Sequence, residues 1–253
     1  VALKPGQREP WTPLRILEAL RRAGYPGSGF GFYPAGHDGA AIILQRCGAG
    51  MIFGSGATVD PWRHRPRIEV HGPGYSKIVL GPDKAGAWET FLDLMTSSVA
   101  DNSGRSCINA SSVRTVSNAK DLAMALAERL SVIKPLRRDD PKAQLAAFSQ
   151  PEIASAINAA IEKGLSQGGA EDLSARFRKS DRLVEFEGAA YLLPTVILCE
   201  SPDHPLANQE YLFPFVSVVE TKADELISGI GPSLVLTALT EDPGIESELL
   251  GLS

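Results

Sequence analysis

The stretch "VADNSGRSCINASSVRT", residues 99–115, sets a cysteine between a small polar loop and a run that reads as a strand. Upstream, Trp88, Phe91, Leu92, Met95 and Val99 recur at helical spacing, so the loop lies where an amphipathic helix gives out. That stripe reads as core rather than as a cofactor contact. A free thiol has a pKa of about 8.5, and its small thiolate fraction at neutral pH is a strong nucleophile. Gly104 permits close backbone approach and the small polar residues leave the sulfur of Cys107 reachable. Arg105 favours the thiolate if its side chain turns inward. Cys47 and Cys199 sit among apolar neighbours and read as buried thiols.

Working outward, Thr12 and Pro13 open a helix through Leu14, Ile16, Leu17 and Leu20, with Thr12 as its cap and Gly24 as its stop. "SGFGFYPAG" and "GAGMIFGSG" read as short strands around a helix at 39–46, which predicts a parallel α/β layer. "RIEVHGPGYSKIVLG" reads as a strand, a glycine-proline crossover and a second strand, and the domain boundary is placed near Gly74. Helices follow at about 119–132 and 151–164. "RLVEFE", "AYLLPTVIL", "FPFVSVVE" and "LVLTALT" read as strands, and "KPLRRDDPK" as a solvated connector.

Composition limits the functional classes. The 253 residues are 43% hydrophobic and 22% charged, an ordinary globular balance with enough apolar residues for a sizeable core. A net charge of −5 argues against a nucleic-acid or anionic-membrane surface. No apolar run reaches the roughly 18 residues of a membrane span. Three widely spaced cysteines offer neither a disulfide framework nor a C-x-x-C metal site, so no metal and a reduced, cytoplasmic setting are expected. A start within an apolar stretch and an end within a helical pattern read as a piece of a longer protein.

Several stretches, read in order, resemble the aldehyde dehydrogenase superfamily. "LKPGQREPWTPLRILEALRRAGYP" is similar to the family's K-P-x-E-x-T-P segment and following helix, and "MIFGSGATV" to its F-T-G-S turn. "VHGPGYSKIVL" lies where the family has E-L-G-G-K-x-x-x-I-V, and "NSGRSCINASSV" resembles the N-x-G-Q-x-C loop of the catalytic thiol. "YLLPTVIL", "NQEYLFPFVSVV" and "LTALTED" resemble the P-T-V, E-E-x-F-G-P-V and G-L-x-A-x-V-F-T-x-D segments. The resemblance implies an α/β fold in which 1–74 form the C-terminal part of a Rossmann-like NAD(P)-binding domain. Residues 75–253 would form most of an α/β catalytic domain.

The resemblance also implies covalent catalysis by Cys107 on a small-molecule aldehyde or acyl thioester, through a thioester, with NAD or NADP as cofactor. Lys4 matches the lysine on the adenosine ribose and Glu210 the glutamate on the nicotinamide ribose; Ser55 and Thr58 lie in the turn that approaches pyrophosphate. Gln7 stands where NAD-preferring members often carry a glutamate, so NADP is allowed. The full-length protein would be a homo-oligomer.

Departures from the family pattern shift the expected chemistry. The general-base glutamate falls on Val70, which cannot activate water. Glu69 and His71 flank it and are the candidate replacements; histidine in general titrates at about pH 6.5. Strand alternation sends Glu69 away from the Val70 side. Loss of that glutamate, together with "GPG" in the turn, resembles the CoA-acylating members. That gives a slight preference for acyl-thioester chemistry over water-dependent aldehyde oxidation. A silent family member serving as a binding module is the third reading, favoured by Leu212-Phe213 in place of the usual Phe-Gly before Pro214.

Overall fold

The computed structural model describes residues 1–7 and 9–251, which divide into two compact units on either side of the Gly72–Pro73 bond. In the first unit, β1 (Ala2–Leu3) is followed by α1 (Trp11–Arg22), β2 (Gly31–Phe32), α2 (His37–Arg46), β3 (Gly50–Phe53), the single turn α3 (Gly56–Val59) and β4 (Ile68–His71). β1 pairs with β2 and β3 with β4, both in parallel, as two separate two-stranded sheets. The two strands predicted to flank the helix at 39–46, β2 and β3, thus fall in different sheets rather than in one parallel layer; the parallel pairs are β1 with β2 across α1 and β3 with β4 across α3. Thr12 is not the cap of α1, however. The Glu9 carboxylate accepts from the N–H groups of Trp11 and Thr12 at 3.1–3.2 Å, taking over two of the orphan donors of the first turn. Gly24, at φ +91°, ends the helix as the sequence predicts. Cys47 is half-buried at the end of α2 rather than sealed in a core.

In the second unit β5 (Lys77–Leu80) leads through a 3-10 turn into α4 (Leu92–Ala100). Then come β6 (Ser112–Thr115), α5 (Ala119–Ser131), α6 (Pro151–Leu165), β7 (Ala170–Asp172), β8 (Leu183–Phe186), β9 (Ala189–Leu192) and β10 (Thr195–Cys199). β11 (Phe215–Glu220), β12 (Leu236–Leu239) and α7 (Pro243–Leu250) complete it. The main sheet runs β12-β5-β6-β11-β10-β7, five strands parallel and β7 antiparallel at one edge; β8 and β9 form a separate hairpin.

Register and strand alternation divide the sheet into two unlike faces. One face carries Ile78, Leu80, Val113, Val196, Val216, Val218 and Leu239, packed against Met95 and Val99 of α4 and Leu122, Leu126 and Leu130 of α5. The predicted stripe from Trp88 to Val99 is thus core. The other face is apolar at its flanks, with Ile197 and Cys199 beside α6 and Val79 beside Leu226, Ile227 and Ile230. Its centre is a polar stripe of Lys77, Ser112, Arg114 and Ser217, all buried. Ser217 Oγ lies 2.8 Å from the Ala207 carbonyl and 3.0 Å from Ser112 Oγ. Burial pushes the Cys199 thiol up to about 12, so it is an inert core residue. Among the described residues no helix is long and apolar enough to cross a membrane.

Candidate active site

Cys107 follows a turn whose backbone is left-handed at three consecutive residues, Asn102 (φ 53°), Ser103 (φ 61°) and Gly104 (φ 63°). Two of these are not glycine, and such a conformation costs roughly 1–2 kcal/mol per residue unless surrounding contacts enforce it. The contacts are present. Asn109, buried, accepts from the Ser106 N–H at 2.8 Å and donates to the carbonyls of Ser98 and Asp101 at 3.0 Å, closing the loop on itself. A Cβ on Gly104 would stand 2.5–2.7 Å from the backbone of Phe213 and Pro214, so the loop lies flat on that segment.

A second support comes from the turn before β5. A Cβ on Gly74 would meet the Cys107 carbonyl oxygen at 1.9 Å, so only glycine fits there. Ser76 Oγ donates to the same carbonyl at 2.7 Å. Glu210 reaches this turn from the other side: its Oε2 accepts from the Gly74 and Tyr75 N–H groups at 2.9 and 2.6 Å. Burial pushes the Glu210 carboxyl above the ordinary range, opposed by those two N–H groups and by Lys77. The fold therefore brings together Cys107 and Glu210, with Gly74, Tyr75 and Ser76 between them. The connection runs through backbone groups, which the sequence motifs do not mark; Asn109 and Ser76 were missed for the same reason. The Cys107 thiol is half-buried, and the Cys107 N–H donates to no acceptor among the described residues. Arg105 does not turn toward the thiol. Its Nη2 donates to the Ala146 and Ala147 carbonyls, its Nε to that of Leu212, and it lies over the Phe148 ring.

The other candidates belong to the first unit. β4 is extended, so Glu69 and His71 share one face and Val70 the opposite one. Glu69 Oε1 lies 2.8 Å from His71 Nε2, and the His71 ring stacks on Phe53 of β3 with centroids 4.5 Å apart. Ser55 precedes α3, its hydroxyl 3.2 Å from that of Thr58. Lys4 follows β1 and is half-buried. Gln7 stands with Pro5, Gly6, Pro10, Pro34 and Ala35 around an open depression of about 260 Å³. No group of three or more histidine, cysteine or acidic side chains arranged for a metal occurs among the described residues.

Comparison with known proteins agrees with this architecture. The aldehyde dehydrogenase family model matches residues 1–229, and the chain belongs to that family. The bovine (Bos taurus) methylmalonate-semialdehyde/malonate-semialdehyde dehydrogenase [acylating], a mitochondrial protein, is 22% identical over 238 residues, covering 89% of this chain and 42% of that protein. N-succinylglutamate 5-semialdehyde dehydrogenase of Vibrio cholerae is 25% identical over 227 residues, 87% of this chain and 45% of that protein. The NAD+ complex of an aldehyde dehydrogenase from Bacillus cereus superposes with a TM-score of 0.83 at 18% identity, over 99% of this chain and 52% of that one. The fold is thus the α/β fold of aldehyde dehydrogenases, and the chain spans about half the length of the relatives it matches.

Proposed function

We propose that the protein acts as an NAD(P)-linked oxidoreductase on an aldehyde or an acyl thioester, with Cys107 as its nucleophile. The observation that carries this reading is the support of Cys107: a left-handed loop, clamped by Gly74 and Ser76, that leaves its backbone N–H unpaired. When Cys107 Sγ bonds to a carbonyl carbon, the oxygen gains negative charge close to that N–H. One such donor is typically worth about 10²–10³ in rate. In the acyl-thioester direction the Cys107 thiolate attacks the carbonyl carbon, and the leaving thiol departs as its thiolate. This leaves a thioester on Cys107. With an aldehyde, the same attack gives a thiohemiacetal.

The residues of the first unit fit the adenosine end of a dinucleotide. The depression around Gln7 has proline and alanine walls suited to a base and an amide suited to a ribose hydroxyl, with no charge to repel a 2′-phosphate. Gln7 and Lys4 would hold that end, and Ser55 and Thr58 the pyrophosphate. In the second unit, the Glu210 oxygen not used on the Gly74–Tyr75 turn would accept from a ribose hydroxyl. A bound nicotinamide dinucleotide supplies the hydride acceptor or donor.

The acylating branch is supported by Val70 at the base position and by the acylating relative. The second reading, water-dependent oxidation, has the Glu69–His71 pair as its base: a carboxylate on Nε2 leaves Nδ1 to take a proton from water, from the face of β4 opposite Val70. Intact-mass spectrometry with a panel of acyl-CoAs and no cofactor tests the proposal. A mass gain that maps to Cys107 and vanishes in Cys107→Ser is expected. No adduct on folded protein would move the reading to a silent binding module, and labelling by an aldehyde only with NAD(P)+ present would favour the hydrolytic branch.

A further inference from the structure

The loop that presents Cys107 is fastened at a third point as well. Ser103 Oγ accepts from the Ala146 N–H at 2.7 Å. Arg105 Nη2 donates back to the Ala146 and Ala147 carbonyls at 3.0 and 2.9 Å, and its guanidinium lies 4.8 Å from the centroid of the Phe148 ring. Phe148 is itself buried and tied by its N–H to the Ala190 carbonyl at 2.8 Å, so this shelf is anchored to the β8–β9 hairpin. In the other direction Arg105 Nε donates to the Leu212 carbonyl at 3.1 Å, one residue before the backbone on which Gly104 rests.

All three hydrogen-bond acceptors of Arg105 are neutral carbonyls, and its remaining contact is an aromatic face. A guanidinium placed in this way uses its planar fork, several donors in fixed directions, which a point charge cannot reproduce. The two segments it reaches both bear on the left-handed turn: Ser103 is bonded to Ala146, and Gly104 rests on Phe213 and Pro214, next to Leu212. We infer that Arg105 is a positioning residue: by pinning that turn to the 146–148 shelf and to Leu212 it aims the Cys107 sulfur, and it acts through hydrogen-bond geometry rather than by lending charge to the thiol. The inference rests on the reading of Cys107 as nucleophile.

The test compares the intact chain with Arg105→Gln, Arg105→Lys and Phe148→Leu. p-Nitrophenyl acetate is the probe that needs an aimed sulfur and iodoacetamide the probe that needs only an accessible one, each site-mapped to Cys107. Arg105→Gln should lower ester acylation about 10- to 100-fold, the scale on which small misplacement acts. Iodoacetamide alkylation should change less than about threefold, and its pH midpoint should stay in place; loss of a neighbouring charge would instead raise that midpoint by about 1–3 units. Amide exchange at 101–107 and 145–148 should quicken together. Arg105→Lys, which restores charge without the fork, should recover little.

Phe148→Leu removes the ring beneath the guanidinium while keeping an aliphatic side chain in the core cluster to which Phe148 belongs; it should show a weaker form of the same split, and it carries the test if Arg105→Gln does not fold. Full recovery by lysine, a moved pH midpoint, or equal losses with both reagents would overturn the inference. If the unaltered chain does not acylate at Cys107, it is the proposed function that fails. The exchange measurement then still decides whether Arg105 holds the loop.

Discussion

The two units of this chain are written in similar alphabets and packed very differently. In the second, both faces of a six-stranded sheet are covered, and Ile78, Leu80, Val113, Leu122, Leu126, Val196, Val216 and Val218 are all sealed from solvent. In the first, among the described residues only Pro5, Leu44 and Val59 are buried. Trp11, Ile16, Ile42, Met51 and Phe53 each stand more than half exposed. The apolar periodicity is present in both units; what differs is the number of strands that can share it. Two-stranded sheets are marginal alone, whereas a wide parallel sheet between helices buries each strand twice. Hydrophobic pattern specifies elements, and partner strands decide whether those elements become a core.

The largest effect expected from this contrast is in hydrogen exchange. Amides of β3 and β4 should exchange about a thousandfold or more faster than those of β6 and β11, because opening them exposes little that is buried. Comparable protection in the two pairs would break the comparison. Next is a change at the single point where packing and chemistry coincide. Gly74→Ala should lower ester acylation of Cys107 by about a hundredfold, since its Cβ would force the Cys107 carbonyl away. Retention of the rate would show that the turn does not set the thiol.

Core truncations sharpen the same contrast in stability. Leu126→Ala should cost about 2–5 kcal/mol. Ile42→Ala, at an exposed site, should cost within about 0.5 kcal/mol, both by denaturant melts. The smallest effect is a slope with pH. Burial, and then Arg114, lower Lys77 from 10.5 to about 8, with Glu210 opposing. Between those values the unfolded chain holds the proton that the folded one has released, so stability should rise with pH from about 8 to about 10.5. Lys77→Met should flatten that rise, and an unchanged slope would assign it to other groups.

Much of the second unit was legible in the sequence because its helices and strands repeat apolar residues at their own periods. The Trp88–Val99 stripe is of this kind, and the strands at 77–80 and 215–220 stand out as short apolar runs. "AYLLPTVIL" was not: it divides at Leu193-Pro194 into β9 of the hairpin and β10 of the main sheet, a choice made by partners distant in sequence. β7 was not seen either, since three residues of an edge strand carry no period of their own. At the site, Cys107 and Glu210 were visible as side chains. Their meeting was hidden because it passes through the Gly74 and Tyr75 N–H groups and the Cys107 carbonyl, which every residue possesses. Arg105 was read as a charge near a thiol; the acceptors that turn it away lie some forty and a hundred residues further along the chain.

The polar stripe of Lys77, Ser112, Arg114 and Ser217 has a consequence for how the sheet finds its alignment. A parallel strand that slips by one residue exchanges its faces. Such a slip in β5 or β6 would drive an ammonium or a guanidinium into the aliphatic layer between the sheet and α5, where nothing could solvate it. A slip of β6 would also part the hydroxyls of Ser112 and Ser217. Four polar side chains therefore work as a key cut for one lock position, and a purely aliphatic sheet of the same length would have several.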